Sequence, residues 1–115
     1  MTNVKGKLTY TAYIDPDQMV KTFTYDLDLE YISKTNCVKY YKIIKYSNPD
    51  FIKGEMYLDL RTKTITIALW FKKIYELPNF SLTNIMKKCG KKWIGSSIYT
   101  NQLPGETTVC EFNFV

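Results

Sequence analysis

The sequence predicts a mostly β protein, an antiparallel curled sheet or small barrel of about seven strands with one short helix. Strict alternation of apolar and polar residues recurs along most of the chain. The breaks between alternating runs are short and rich in Asn, Asp, Pro and Gly, which favours antiparallel neighbours. A single stretch, residues 81–89, carries helix-capping residues at both ends. At 115 residues, 45% hydrophobic and 23% charged, the chain 1–115 is expected to be one β-rich domain.

Residues 7–14 place Leu8, Tyr10, Ala12 and Ile14 on one face, and Asp15-Pro16-Asp17-Gln18 follows as a turn. The next strand alternates Phe23, Tyr25, Leu27, Leu29 and Tyr31 with Thr22, Thr24, Asp26, Asp28 and Glu30, as expected where one face meets water. Residues 37–46 are read as a strand because Tyr, Ile and Val dominate and turn residues flank them. Lys39, Lys42 and Lys45 fall on both of its faces and its apolar residues are divided, which suits a lysine-protected edge strand. Residues 54–60 and 64–72 form a second hairpin, with Met56, Leu58 and Leu60 and then Ile65, Ile67, Leu69 and Phe71 inward. Phe23, Tyr25, Leu27 and Leu29, with Ile65 to Phe71, are the expected core.

Leu77-Pro78-Asn79 reads as a break. Ser81 is a good N-cap, Phe80 and Ile85 fit a hydrophobic staple, and Gly90 can end a helix over 81–89. Two more strands follow, around Ile94–Ile98 and Thr107–Phe114, separated by a Gln102-Leu103-Pro104-Gly105 turn.

Composition bounds the chemistry. With no histidine, the Ser-His-Asp and Cys-His nucleophile systems and every His-ligated metal site are excluded, and no enzyme activity and no cofactor are expected. Cys37, Cys89 and Cys110 lack metal-ligand spacing and read as reduced thiols, Cys110 in the core. No secretory pattern opens the chain, and no apolar run approaches the roughly 20 residues of a membrane helix. The expectation is a cytoplasmic protein (host cytoplasm if viral) with no membrane partner. Asp26, Asp28 and Glu30 share one strand face and read as solvated or paired with the chain's own lysines rather than as a catalytic set.

Charge is unevenly distributed. Residues 34–92 hold thirteen basic and four acidic residues, whereas residues 1–33 and 93–115 are each net −2. Aromatics interleave with the basic block, and a lysine-lined sheet with exposed rings can hold single-stranded nucleic acid without reading its sequence. The single arginine, Arg61, cannot build a base-reading surface. Lys42, Lys45, Lys87, Lys88, Lys91 and Lys92 are the candidate phosphate contacts, with Tyr41 and Trp93 as candidate stacking residues. The bland alternative for the 87–92 cluster is a solvated helix terminus with Trp93 anchored in the core. The sequence therefore reads as a small non-enzymatic binding protein with single-stranded nucleic acid or another anionic partner. The alternative is a protein-interaction module, such as a viral or phage accessory protein engaging a host factor through a strand edge or aromatic patch. A third class is a barrel carrying a small apolar ligand inside.

Overall fold

Eight strands, each antiparallel to the next, close into one barrel in chain order, with β1 pairing back onto β8. The computed structural model describes residues 3–13, 20–74, 77–99 and 107–115. The strands are β1 (Asn3–Tyr13), β2 (Val20–Thr35), β3 (Val38–Tyr46), β4 (Phe51–Asp59), β5 (Thr64–Ile74), β6 (Leu77–Cys89), β7 (Lys92–Tyr99) and β8 (Thr107–Phe114). The predicted turns at 15–18 and 102–105 lie outside the described residues.

Alternation determines the two faces. Leu8, Leu27, Leu29, Ile43, Met56, Ile65, Ile67, Leu69, Phe71, Met86, Cys110 and Phe112 fill the interior and are all but inaccessible to water. A Cβ added at Gly6 would overlap the Phe112 ring, and one at Gly54 would press on Leu69 and Ile43. These inward glycines make room for neighbouring side chains, so this part of the barrel is a packed core rather than a ligand chamber. Of the expected core, Tyr25 is only partly buried and Phe23 is 41% exposed. Phe23 keeps the inward alternation opposite Tyr10, but it lies toward the end of the barrel where β2 begins, beyond the fully buried layers.

Leu60, expected inward, lies in the β4–β5 turn and is 42% exposed, and three larger features also differ from the sequence reading. First, residues 81–89 are not a helix but the second half of β6, a strand of 13 residues beginning at Leu77 and including Pro78. Its inward positions include Leu82, Asn84 and Met86, so a polar residue interrupts the apolar alternation. The buried Asn84 is held by its neighbours: Nδ2 donates to the Ile67 carbonyl at 3.1 Å, and Oδ1 accepts from Ser97 Oγ at 2.6 Å. These bonds join β5, β6 and β7 through one carboxamide, and they offset the cost of burying it. Second, Gly90 has φ 65° but sits in the hairpin turn between β6 and β7, not at a helix end. Third, β3 is not an edge, since it pairs with β2 and β4.

The divided apolar set of β3 has a local cause. Leu29 pairs with Ile43 and Asp28 with Lys45, so Ile44 is an extra residue, and inward positions shift from Tyr41 and Ile43 to Tyr46. Ile32 in β2 and Ile52 in β4 are extra in the same way. All three bulge isoleucines face solvent.

Packing predicts a graded response to truncation. Ile67→Ala is expected to cost about 2–5 kcal/mol, whereas Ile98→Ala, at a side chain 61% exposed on the outer wall, should stay within about 0.5 kcal/mol. Urea unfolding of the two variants checks both.

The interior also predicts alkaline lability. Burial pushes the hydroxyls of Tyr10 and Tyr46 well above the ordinary phenol range. The Tyr10 hydroxyl lies beside Asn84 and Tyr46 without completing a hydrogen bond to either. In the unfolded chain tyrosines ionise near about pH 10, so above that pH the unfolded state releases protons that the folded state retains. Stability should be constant below that pH with respect to these groups and fall as pH rises beyond it. Absorbance at the tyrosinate band should show part of the tyrosine signal appearing only together with unfolding.

Candidate anion-binding surface

In an up-and-down barrel, alternate turns lie at the same end. Here the turns after β2, β4 and β6 share one end, and each is short because a residue with left-handed backbone reverses the chain: Asn36 (φ 55°), Lys63 (φ 54°) and Gly90. Asp59 shapes the middle turn, with Oδ1 accepting from the Arg61 and Thr62 N–H groups at 2.9 and 3.2 Å. Those donors hold its carboxyl below the ordinary carboxylate range.

This end gathers cations from the three hairpins. Lys34 and Lys39 flank the β2–β3 turn, Arg61 and Lys63 lie in the β4–β5 turn, and Lys87, Lys88, Lys91 and Lys92 surround the β6–β7 turn. Their settings differ. Lys87 is on the outer wall, in line with Thr64, Asp59 and Val38 across four adjacent strands. Lys88 occupies an inward-facing rim position opposite Trp93, its Nζ 5.8 Å from the ring centroid. Lys91 is exposed in the turn, and Lys92 Nζ reaches Glu111 Oε2 at 3.6 Å. That pair is solvent-exposed and contributes little to stability.

The other candidate lysines lie elsewhere. Lys42 stands opposite Glu30 on β2 and Glu55 on β4, and Lys45 stands opposite Asp28. Asp26 and Asp28 in turn face Lys7 and Lys5 on β1. The acidic row of β2 is thus flanked by lysines on both sides, and this wall is locally balanced.

Neither candidate stacking residue offers a ring to a ligand. Tyr41 is 8% exposed and packs edge-on to Tyr31 with centroids 5.5 Å apart, and Trp93 is 7% exposed. Both occupy inward positions of their strands, so the platform expected from the sequence is displaced into the core. Among the described residues, Phe114 at the end of β8 and Tyr57 on the outer wall of β4 are the aromatics that face solvent near this end, each 39% exposed, and it is Tyr57 that has polar partners. Its hydroxyl donates to Glu55 Oε2 at 3.0 Å, as does that of Tyr40 at 3.1 Å, and the two rings lie 5.1 Å apart. Tyr57 borders a shallow hollow of about 450 Å³ shared with Val38, Asp59, Thr64, Thr66 and Lys87.

Lys34, Lys39, Arg61, Lys63 and Tyr57 were not among the sequence candidates. The signal that would have included the cations is topological: once residues 77–89 are a strand, the three turns must share an end. Among the described residues, no cluster of three or more Cys, Asp or Glu side chains could hold a metal ion, and no helix is long and apolar enough to cross a membrane. Compared with known proteins, the chain matches no family model, no curated protein and no solved structure.

Burial of Trp93 has an optical consequence. In a Trp70→Phe variant, the remaining tryptophan should emit at short wavelength and resist quenching by iodide. Full accessibility to iodide would contradict the inward placement.

Proposed function

We propose that the protein is a non-enzymatic binder of nucleic acid, gripping the phosphate backbone with the basic end of the barrel. The observation that carries this reading is the gathering of Lys34, Lys39, Arg61, Lys63 and the 87–92 lysines from three separate hairpins onto one end. Among the described acids at this end, Asp59 and Glu111 each already have a partner, at the β4–β5 turn and at Lys92. Lysine is a compact, strongly hydrated charge on a flexible stem, suited to phosphates rather than to base edges. Binding is therefore expected to be indifferent to sequence and to release counterions. The absence of histidine favours binding over acid–base catalysis.

A second reading rests on a different wall. Ile85 and Ile98 are 45% and 61% exposed on neighbouring strands β6 and β7, an apolar patch that a protein partner could cover. Among the described residues every strand pairs with two neighbours, so such a partner would dock face-on rather than by strand addition.

Gel-shift or anisotropy titration with random-sequence single strands at two salt concentrations tests the first reading. Affinity should fall steeply with salt, by a log–log slope of roughly 0.7 per contacted phosphate. Replacing Lys87, Lys88, Lys91 and Lys92 with alanine should weaken binding to all sequences alike and flatten the slope. Replacing Lys42 and Lys45, which stand opposite acids, should change it little. No binding at low salt would overturn the reading and leave the apolar patch as the better guide.

A further inference from the structure

We infer that the hollow beside the basic end seats one unpaired nucleotide, with its base against the ring of Tyr57 and its phosphate at Lys87. This rests on the nucleic-acid reading and deepens it, because it assigns the strand form that the lysines alone do not select.

The hollow is built by register. Val38, Asp59, Thr64 and Lys87 are directly opposed on β3, β4, β5 and β6, all facing outward, and Tyr57 and Thr66 form the next outward row on β4 and β5. Its volume of about 450 Å³ is in the range of small-ligand sites. Its lining is aromatic at Tyr57, hydroxyl-bearing at Thr62, Thr64 and Thr66, and cationic at Lys87. A nucleotide presents the same sequence of chemistries: a planar apolar face, a sugar with hydrogen-bonding oxygens, and an anion.

Tyr57 is suited to stacking because its ring is already positioned. The Glu55 carboxylate accepts from its hydroxyl, and Tyr40 tilts against it at 30° while sharing the same carboxylate oxygen. A ring held this way loses little freedom when a base stacks on it. Lys87 lies on β6, two strand spacings from β4, which is about 10 Å. Its four-carbon stem lets the ammonium follow the phosphate. Asp59 adds a negative charge to the hollow, but Oδ1 is committed to the β4–β5 turn, and its charge keeps the phosphate on the Lys87 side. Bases inside a duplex are stacked on both faces and cannot reach the ring, so the hollow selects an unpaired strand.

The test compares two labelled strands of equal length by fluorescence anisotropy at low salt, using the full chain. One is oligothymidylate and the other is an abasic strand with the same phosphates. The wild-type protein should bind oligothymidylate more tightly. Tyr57→Ala should lower that affinity by about tenfold, the scale of one lost base–aromatic stack, and remove the difference between strands while leaving abasic binding unchanged. Tyr57→Phe, which retains the ring, should preserve the preference. Circular dichroism and melting temperature establish that both variants fold. Equal affinity of the wild type for the two strands, or a preference that survives Tyr57→Ala, overturns the nucleotide site while leaving the lysine–phosphate reading intact. Failure of both strands to bind overturns the two together.

Discussion

Hydrogen bonding between the first strand and the last is the constraint on which this structure depends. A sheet that ended at β1 or β8 would expose a row of backbone donors and acceptors; pairing from Gly6–Phe114 to Tyr13–Thr107 removes both edges. Closure also gives each strand an inside and an outside, so alternate residues must be fit for burial. Where a strand could not supply an unbroken apolar row, the structure makes local adjustments. Asn84 is buried together with the Ser97 hydroxyl and the Ile67 carbonyl that satisfy it. Ile32, Ile44 and Ile52 are turned outward at bulges, and beyond Ile44 and Ile52 the inward face resumes at Tyr46 and Gly54.

Those adjustments explain which parts of the fold were legible in the sequence. β2, β4 and β5 read cleanly because they alternate over their buried stretches, and their inward residues Leu27, Leu29, Met56, Ile65, Ile67 and Leu69 are core residues. β3 was legible as a strand but not as an interior one, because the bulge at Ile44 switches its faces midway. β6 does not read as a strand because Asn84 breaks the apolar row while Ser81 and Gly90 are chemically suited to helix caps. The freedom of Gly90 to adopt left-handed backbone serves a helix end and a hairpin equally well.

The same features hide the surface. A helix over 81–89 leaves the turns at 60–63 and 90–91 with no fixed relation, so the cations around them do not form one group until β6 is a strand. Burial of Tyr41 is legible only from face assignment, which depends on the bulge at Ile44, whereas burial of Trp93 is the alternative that the sequence already offers for the 87–92 cluster. Charge balance across β1 to β4 was nearer the surface of the sequence, since the acidic row of β2 suggested pairing with the chain's own lysines. The outer wall therefore divides into a compensated region, where Lys5, Lys7, Lys42 and Lys45 stand opposite acids, and an end where positive charge is in excess.

Strand order also dictates a sequence of events during folding. Each pairing from β1–β2 through β7–β8 joins consecutive segments, so successive hairpins can add like links with small loop-closure costs. The β1–β8 pairing is different, because it joins the first described strand to the last and so closes the longest loop. On a ribosome, β1 emerges before β8 and holds an unpaired edge until β8 follows. The nascent chain is most vulnerable to intermolecular pairing in that interval, and the lysines of β1, Lys5 and Lys7, lie on the strand that is exposed longest.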